Sequence, residues 1–276
     1  MAPAMQLFAP IQRLVVTGFL IAMAAFVSRG DIFTFSNTNS ITINDSDNPP
    51  TIATPYPSTI TVAGLAGQVI TNLTVTLSNF SHTFPSDVSI LLVGPQGQVC
   101  VLMSDVGGQF QFSVTNLVIT LDDQAQNPLP QYDRLTSGIY QPAAYPTPLD
   151  FSFPLPAPAG NSNAPPMLSV FNNTDADGVW SLFVVDDVAE NAGSISGGWS
   201  MSVSTGIPLQ LTSLGTNLVL SWPDVSGHTF VVQFVPNSTN TVLWSNLPAV
   251  PSLVSGRLTV TNSNVGPGGY FRLLVR

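Results

Sequence analysis

The segment Asp175–Val203, DADGVWSLFVVDDVAENAGSISGGWSMSV, constrains the fold more than any other part of the chain. It holds two copies of one small pattern, Gly178-Val-Trp180-Ser-Leu182 and Gly198-Trp199-Ser-Met201. Side chains alternate between the faces of a strand, so Trp180, Leu182 and Val184 share a face, and so do Trp199, Met201 and Val203. Between them Asp186, Asp187, Glu190, Asn191, Gly193, Gly197 and Gly198 favour turning over continued strand. The segment predicts a pair of sheet strands with buried tryptophans, closing a β-sandwich.

The rest of the chain agrees with an all-β fold. No window sustains a 3.6-residue apolar period, and Thr, Val and Pro discourage helix throughout. Strands are expected at Ile41–Ile43, Pro57–Val62, Val69–Leu77, Val88–Val93, Val99–Met103 and Leu117–Leu121, with a tight hairpin at Gly94-Pro95-Gln96-Gly97. Residues 124–166 turn rich in Pro, Ala, Asn and Tyr, which reads as a long extended excursion on the surface. Strand is expected to resume at Met167–Phe171. Thr205-Gly206-Ile207-Pro208 reads as a linker. Beyond it, residues 206–276 carry strands at Leu218–Trp222, Thr229–Val235, Arg257–Val260 and Tyr270–Val275. At about 70 residues without disulfides, this stretch is near the lower limit for an independent core. The organisation expected is a leader (1–30), a β-sandwich of jelly-roll type (31–205) and a small β module (206–276).

Charge excludes several classes. The chain has 276 residues, of which 8% are charged and 44% hydrophobic, with a net charge of −9. It has no lysine, and its six basic residues are Arg13, Arg29, Arg134, Arg257, Arg272 and Arg276. Without a basic cluster it is not built to neutralise nucleic acid or to dock on anionic lipid. Arg13, the apolar run Leu14–Val27 and the small residues around Ser28 follow the order of a secretory signal. The run is short for a span of ~20 residues, so a removed leader is expected rather than an anchor. The mature start falls near Asp31, and the expected location is secreted or periplasmic. Cys100, the single cysteine, lies in an apolar run and reads as a buried structural thiol.

Three ordered stretches carry a family likeness. Asp87-Val-Ser-Ile-Leu-Leu-Val-Gly-Pro-Gln-Gly97 resembles the hairpin "D-hydrophobic-x-I-x-L-x-x-P-x-G" of the P domain (P/Homo B domain) of proprotein convertases. Asp177–Asp186 resembles its "x-G-x-W-x-L-x-V-x-D" strand, and Gly193–Val203 its closing "G-x-L-x-x-W-x-L-x-V" strand. The resemblance covers residues 31–205 and implies a jelly-roll sandwich. In that family the domain follows a subtilisin-like protease domain and supports its folding, and calcium sites occur in some members. No protease domain precedes these elements here, and the Pro-rich excursion departs from the usual spacing. Residues from Leu209 are similar to the small immunoglobulin-like or fibronectin-like modules of secreted proteins.

Candidate chemistry is sparse. Only His82 and His228 could act as general bases, and no Gly-x-Ser-x-Gly elbow or His-Glu-x-x-His motif occurs. Asp87 is close to His82 in sequence, but a histidine bonded to backbone is the expectation there. Calcium has a physical case through short carboxylates at strand ends: Asp87 and Asp105, Asp175 and Asp177, and Asp186 and Asp187. These fall at opposite ends of the Trp180 strand, which suits two sites or solvated turn acids better than a single site. Tyr132, Tyr140, Tyr145 and Phe151 could form a stacking platform for sugar or peptide, or could pin the excursion to the sandwich. The expected role is non-catalytic: binding, adhesion or structural support toward a protein or glycan partner. The alternative is an accessory to a separate secreted serine protease.

Overall fold

The computed structural model describes residues 26–108, 112–214, 217–225, 227–236, 244–262 and 269–275. The chain divides into two compact units. One comprises Ile32–Leu65 and Asn72–Ser204; the other comprises Ala66–Thr71, Thr205–Arg276 and the start of the chain up to Asp31. Residues 14–25 of the apolar run Leu14–Val27 lie outside the described residues, and the first described strand crosses the expected mature start at Asp31.

The strands through the first unit are β1 (Phe26–Asn37), β2 (Ile41–Ile43), β3 (Thr51–Ile52), β4 (Ser58–Val62), β5 (Val69–His82), β6 (Val88–Val93), β7 (Val99–Ser104), β8 (Val114–Asp122), β9 (Gly138–Tyr140), β10 (Ala143–Ala144), β11 (Gly178–Asp186), β12 (Gly193–Ile195) and β13 (Trp199–Leu214). One sheet runs β10-β7-β6-β11-β3, with β4 also on β11; in a second, β9 pairs β8, β8 pairs β5, and β5 continues to β12 and β2. The β6–β7 hairpin closes as expected, with Gly94 N donating to Gln98 O at 2.9 Å and Gly97 in the left-handed region. The chain is an all-β sandwich, and among the described residues its helical elements are three 3-10 turns at Pro85–Asp87, Asn161–Asn163 and Leu168–Phe171.

Alternation builds the core. Leu73, Val75 and Leu77 of β5 are buried between half-exposed threonines, as a one-sided strand requires. Trp180 and Trp199 are both fully buried. Each indole N–H is satisfied, Trp180 donating to Ala176 O at 2.9 Å and Trp199 to Ser58 Oγ at 3.0 Å. The two tryptophan strands are not a pair, however. β11 pairs with β6, β3 and β4, whereas Trp199 lies on β13, which is not a member of that sheet. The connection between them contains a further strand, β12, which pairs Gly193 with His82 of β5 and Gly193 with Ile43 of β2. Gly193 is there for close approach rather than for turning: an added Cβ would fall on the Ser81 carbonyl oxygen and 2.9 Å from His82 Cα.

The Pro-rich segment lies at the surface, with Leu155 86% exposed, but part of it packs back on the sheet. Leu149, Phe153, Ala157 and Ala164 are buried against Leu91, Val93, Val101, Phe183 and Val185, and so cover the second face of β6, β7 and β11. This explains why all six residues of β6 are buried. Asn161 clamps the segment from inside: its Oδ1 accepts from Phe153 N at 2.8 Å and its Nδ2 donates to Phe153 O and Pro158 O. Met167–Phe171, expected as strand, instead enters a 3-10 turn at Leu168. The reason is remote in sequence: the Asp123 carboxylate accepts from Leu168 N (2.8 Å) and Ser169 N (2.7 Å), capping that turn.

In the second unit β14 (Asn217–Pro223), β15 (Phe230–Pro236), β16 (Ser245–Asn246), β17 (Ser252–Val254), β18 (Arg257–Asn262) and β19 (Gly269–Val275) form two layers. One is β17-β18-β14-β13 and the other β16-β15-β19. Both contribute to one core of Leu209, Leu220, Trp222, Val232, Val260 and Leu273, among others. Thr205–Pro208, expected as a linker, lies inside β13, where Thr205 and Ile207 are buried. Thr205 Oγ1 donates to Gln68 Oε1 at 2.5 Å.

Candidate functional site

The ends of β5, β7 and β11 and the start of β6 meet at one edge of the first unit, and they bring together most of its unusual polar residues. His82 closes β5, Asp87 directly precedes β6, Asp105 directly follows β7, and Asp186 closes β11 with Asp187 next in the chain. The antiparallel register accounts for the meeting: Asp186 pairs with Val88, and Ile90 with Met103. His82 and Asp186 are sealed from solvent, with side chains 0% exposed, and Nε2 stands 3.1 Å from Asp186 Oδ2. That contact has ion-pair distance without hydrogen-bond alignment, and both atoms lack an aligned protein partner. On its other side His82 Nδ1 lies 2.9 Å from Phe84 O and 3.2 Å from Phe84 N, donating or accepting with its tautomer. The expected backbone partner is therefore present, but the histidine ends a strand instead of sitting in a loop.

Asp87 is 3% exposed, and its Oδ2 is likewise buried without a hydrogen-bond partner. Burial first, and then the charge of Asp186, pushes its carboxyl up to about 7, although His82 and the Asn191 side chain work in the other direction. Asp187 is carried to about 7 by burial, with Ser89 opposing and Asp105, Asp87 and Asp186 adding. Burial also raises Asp105, against a hydrogen bond from Ser104. Ser89 Oγ donates to Asp187 Oδ2 at 2.9 Å and lies 2.8 Å from Ser104 Oγ. Ser104 Oγ is 3.2 Å from Asp105 Oδ2.

The six aspartates expected as calcium candidates separate into two groups. Asp87, Asp105, Asp186 and Asp187 come together; Asp175 and Asp177 lie at the far end of β11 and serve the chain itself. Asp177 accepts from Leu65 N at 3.0 Å, and Asp175 Oδ1 accepts from Asp177 N at 3.0 Å. Among the described residues no group of three His, Cys, Asp or Glu side chains is arranged to hold a metal ion. Ser89 and Ser104 were missed in the sequence. The signal was there: each is the only hydroxyl in a six-residue apolar strand, VSILLV and VCVLMS.

As chemistry, the arrangement is not a catalytic triad. The hydrogen bonds of Ser89 and Ser104 run to each other and to acids, and neither bonds to His82. Cys100 is fully buried, and burial pushes its thiol well above the ordinary range. The aromatic platform is not assembled either. Phe151 packs on the covered sheet face, the Tyr145 hydroxyl donates to Leu129 O and Tyr140 lies 2.9 Å from Thr136 Oγ1, which leaves Tyr132 as the exposed member at 59%. In the second unit, His228 stacks on Phe230, and a cleft of about 320 Å³ is lined by Phe230, Val232, Leu247, Pro248, Val250 and Pro251 among others, with no titratable group in its wall. No protein-family description, curated protein or solved structure matches the chain.

Proposed function

We propose that this chain is a secreted, non-catalytic β-sandwich protein acting in binding, adhesion or structural support, with a first unit of the P-domain kind. The observation that carries the non-catalytic reading is the burial of His82, whose side chain is 0% exposed and lies between the Phe84 backbone and Asp186. The resemblance in residues 87–97, 177–186 and 193–203 supports the family assignment, and those stretches coincide with the β6–β7 hairpin, β11, and β12 with the start of β13. The leader pattern ahead of Asp31 supports export.

The test is to express the chain with its native N-terminus, recover it from the medium, and challenge it on a glycan array, in a pull-down and with casein. Secretion, retained binding to a glycan or protein and no casein hydrolysis are expected. Hydrolysis that disappears in a folded His82→Ala variant overturns the reading. A co-purifying subtilisin-like protease replaces it with the accessory role that the resemblance also supports.

A further inference from the structure

The outer face of β15 and β19 holds a cation without an anion. Phe230, Val232 and Phe234 of β15, and Phe271 and Leu273 of β19, pack into the core of the second unit. Alternation therefore puts Val231, Gln233, Arg272 and Leu274 on the opposite face, where the register sets Gln233 against Arg272 and Val231 against Leu274. Arg272 is fixed from two sides. Its guanidinium carbon lies 4.3 Å from the centre of the Trp244 ring, and its Nε donates to Gln233 Oε1 at 2.7 Å. Gln233, only 9% exposed, is held in turn by its Nε2 donating to Asn246 Oδ1 at 3.0 Å.

These bonds orient the guanidinium without neutralising it. Among the described residues its partners are Trp244 and Gln233, neither of which is a carboxylate, and its two terminal nitrogens are left as the fork that matches two carboxylate oxygens. Residues 205–276 offer one acid, Asp224, against Arg257, Arg272 and Arg276. Burial lowers Arg272 from its ordinary value, a cost that a bound anion relieves.

An apolar cleft adjoins this row of polar groups. Asn246 belongs to its wall, with Val231, Leu247, Pro248 and Val250. The strand ladder ends here: Leu247 N donates to Val232 O at 2.8 Å, and Ala249 N then turns back on Leu247 O at 2.8 Å. Pro248–Pro251 stand off the Phe230–Val232 edge and leave about 320 Å³ between them, the size of a small ligand pocket. We propose that this surface binds the C-terminal end of an apolar peptide, with the last side chain in the cleft and the terminal carboxylate on the Arg272 fork. Charge and shape agree on that occupant, because the cleft wall is apolar and the one preorganised donor group beside it is cationic. A sugar acid fits less well, since the guanidinium already covers one face of Trp244 and the wall is aliphatic. The site gives the binding role proposed above a partner chemistry, and it rests on that role.

Ligand-observed NMR titration of the full chain with acetylated tetrapeptides tests the site. A peptide ending in leucine with a free carboxylate should bind saturably, and its C-terminal amide about tenfold or more weaker. A free-acid peptide ending in glycine should also be about tenfold weaker, for want of a side chain to bury. Arg272→Gln should abolish the preference for acid over amide, and Arg272→Lys, which keeps the charge but not the fork, should restore only part of it. No saturable binding, equal binding of acid and amide by the wild type, or an acid preference unchanged in a folded Arg272→Gln variant overturns the proposal. So does acetate competing as well as the leucine peptide, which would reduce the site to a bare cation. Secretion and the casein and glycan tests do not depend on Arg272, so failure here is distinct from failure of the broader reading.

Discussion

Replacing Asp87 by Asn should make this protein more stable at pH 8, by a smaller margin at pH 5, and leave it unchanged only below the ordinary carboxylate range. In the folded chain the Asp87 carboxyl titrates at about 7 against an ordinary 3.8, because it is buried and faces Asp186. The folded state thus keeps a proton that the unfolded chain has already released, so stability is fullest below the unfolded value and falls as pH rises through 7. At about 1.4 kcal/mol for each tenfold change in proton affinity, an isolated carboxyl of this kind costs about 4 kcal/mol once ionised. Asp87, Asp186 and Asp187 share their charges, and solvent reaches part of Asp187, so the expected gain for Asp87→Asn at pH 8 is about 2–3 kcal/mol. Urea denaturation in EDTA at pH 5, 6, 7 and 8 measures it, with hydrogen exchange in β6 reporting on this unit alone. The wild type should lose stability across that range, and the variant should lose distinctly less. A variant no more stable than wild type at pH 8 would refute the assignment of a buried, costly charge to Asp87.

Three further substitutions probe the frame. Trp180→Ala empties a fully buried site edge-on to Phe171 and removes the donor to Ala176 O, so a loss of about 3–5 kcal/mol in chemical denaturation is expected; a loss under 1 kcal/mol would show that the indole is not a core anchor. Gly198→Ala should cost more than a usual surface change, about 1–3 kcal/mol from its φ of +67° alone, because its Cβ would also fall on the Asn37 carbonyl oxygen; unchanged thermal unfolding would contradict that placement. Asn161→Ala strips the clamp on the Pro-rich cover, leaving Phe153 N without its acceptor. Limited proteolysis should then cut within 145–165 at least several times faster, while an unaltered cutting pattern would mean that the cover is held by its apolar contacts alone.

Much of the strand framework was legible because it is local. Alternation in Val69–Leu77 and the turn chemistry of Gly94–Gly97 place strands and hairpin without reference to distant residues. The misjudged pieces depended on remote partners. Leu168–Phe171 becomes a 3-10 turn through Asp123, some 45 positions away, and the Pro-rich stretch becomes a cover because Leu91, Val93 and Val101 offer it an apolar face. Gly193 looked like a turn residue, yet its role is to let β12 approach the Ser81–His82 backbone. For the site, sequence spacing offered Asp87 as the neighbour of His82. The sheet register put Asp186, 104 positions further on, against the same ring.

The sequence by itself determined that this is an all-β chain with tryptophan-bearing strands and almost no cation to balance its acids, since period, turn residues and composition are properties of the chain read in order. Only the tertiary structure decided that Trp180 and Trp199 sit in different sheets, and that four of the aspartates gather at one cluster of strand ends, two of them beside a sealed histidine. Hydrogen-bond register acts between strands that are far apart in the chain, and burial is a property of what finally covers a side chain. Neither is written at the position where its consequence is felt.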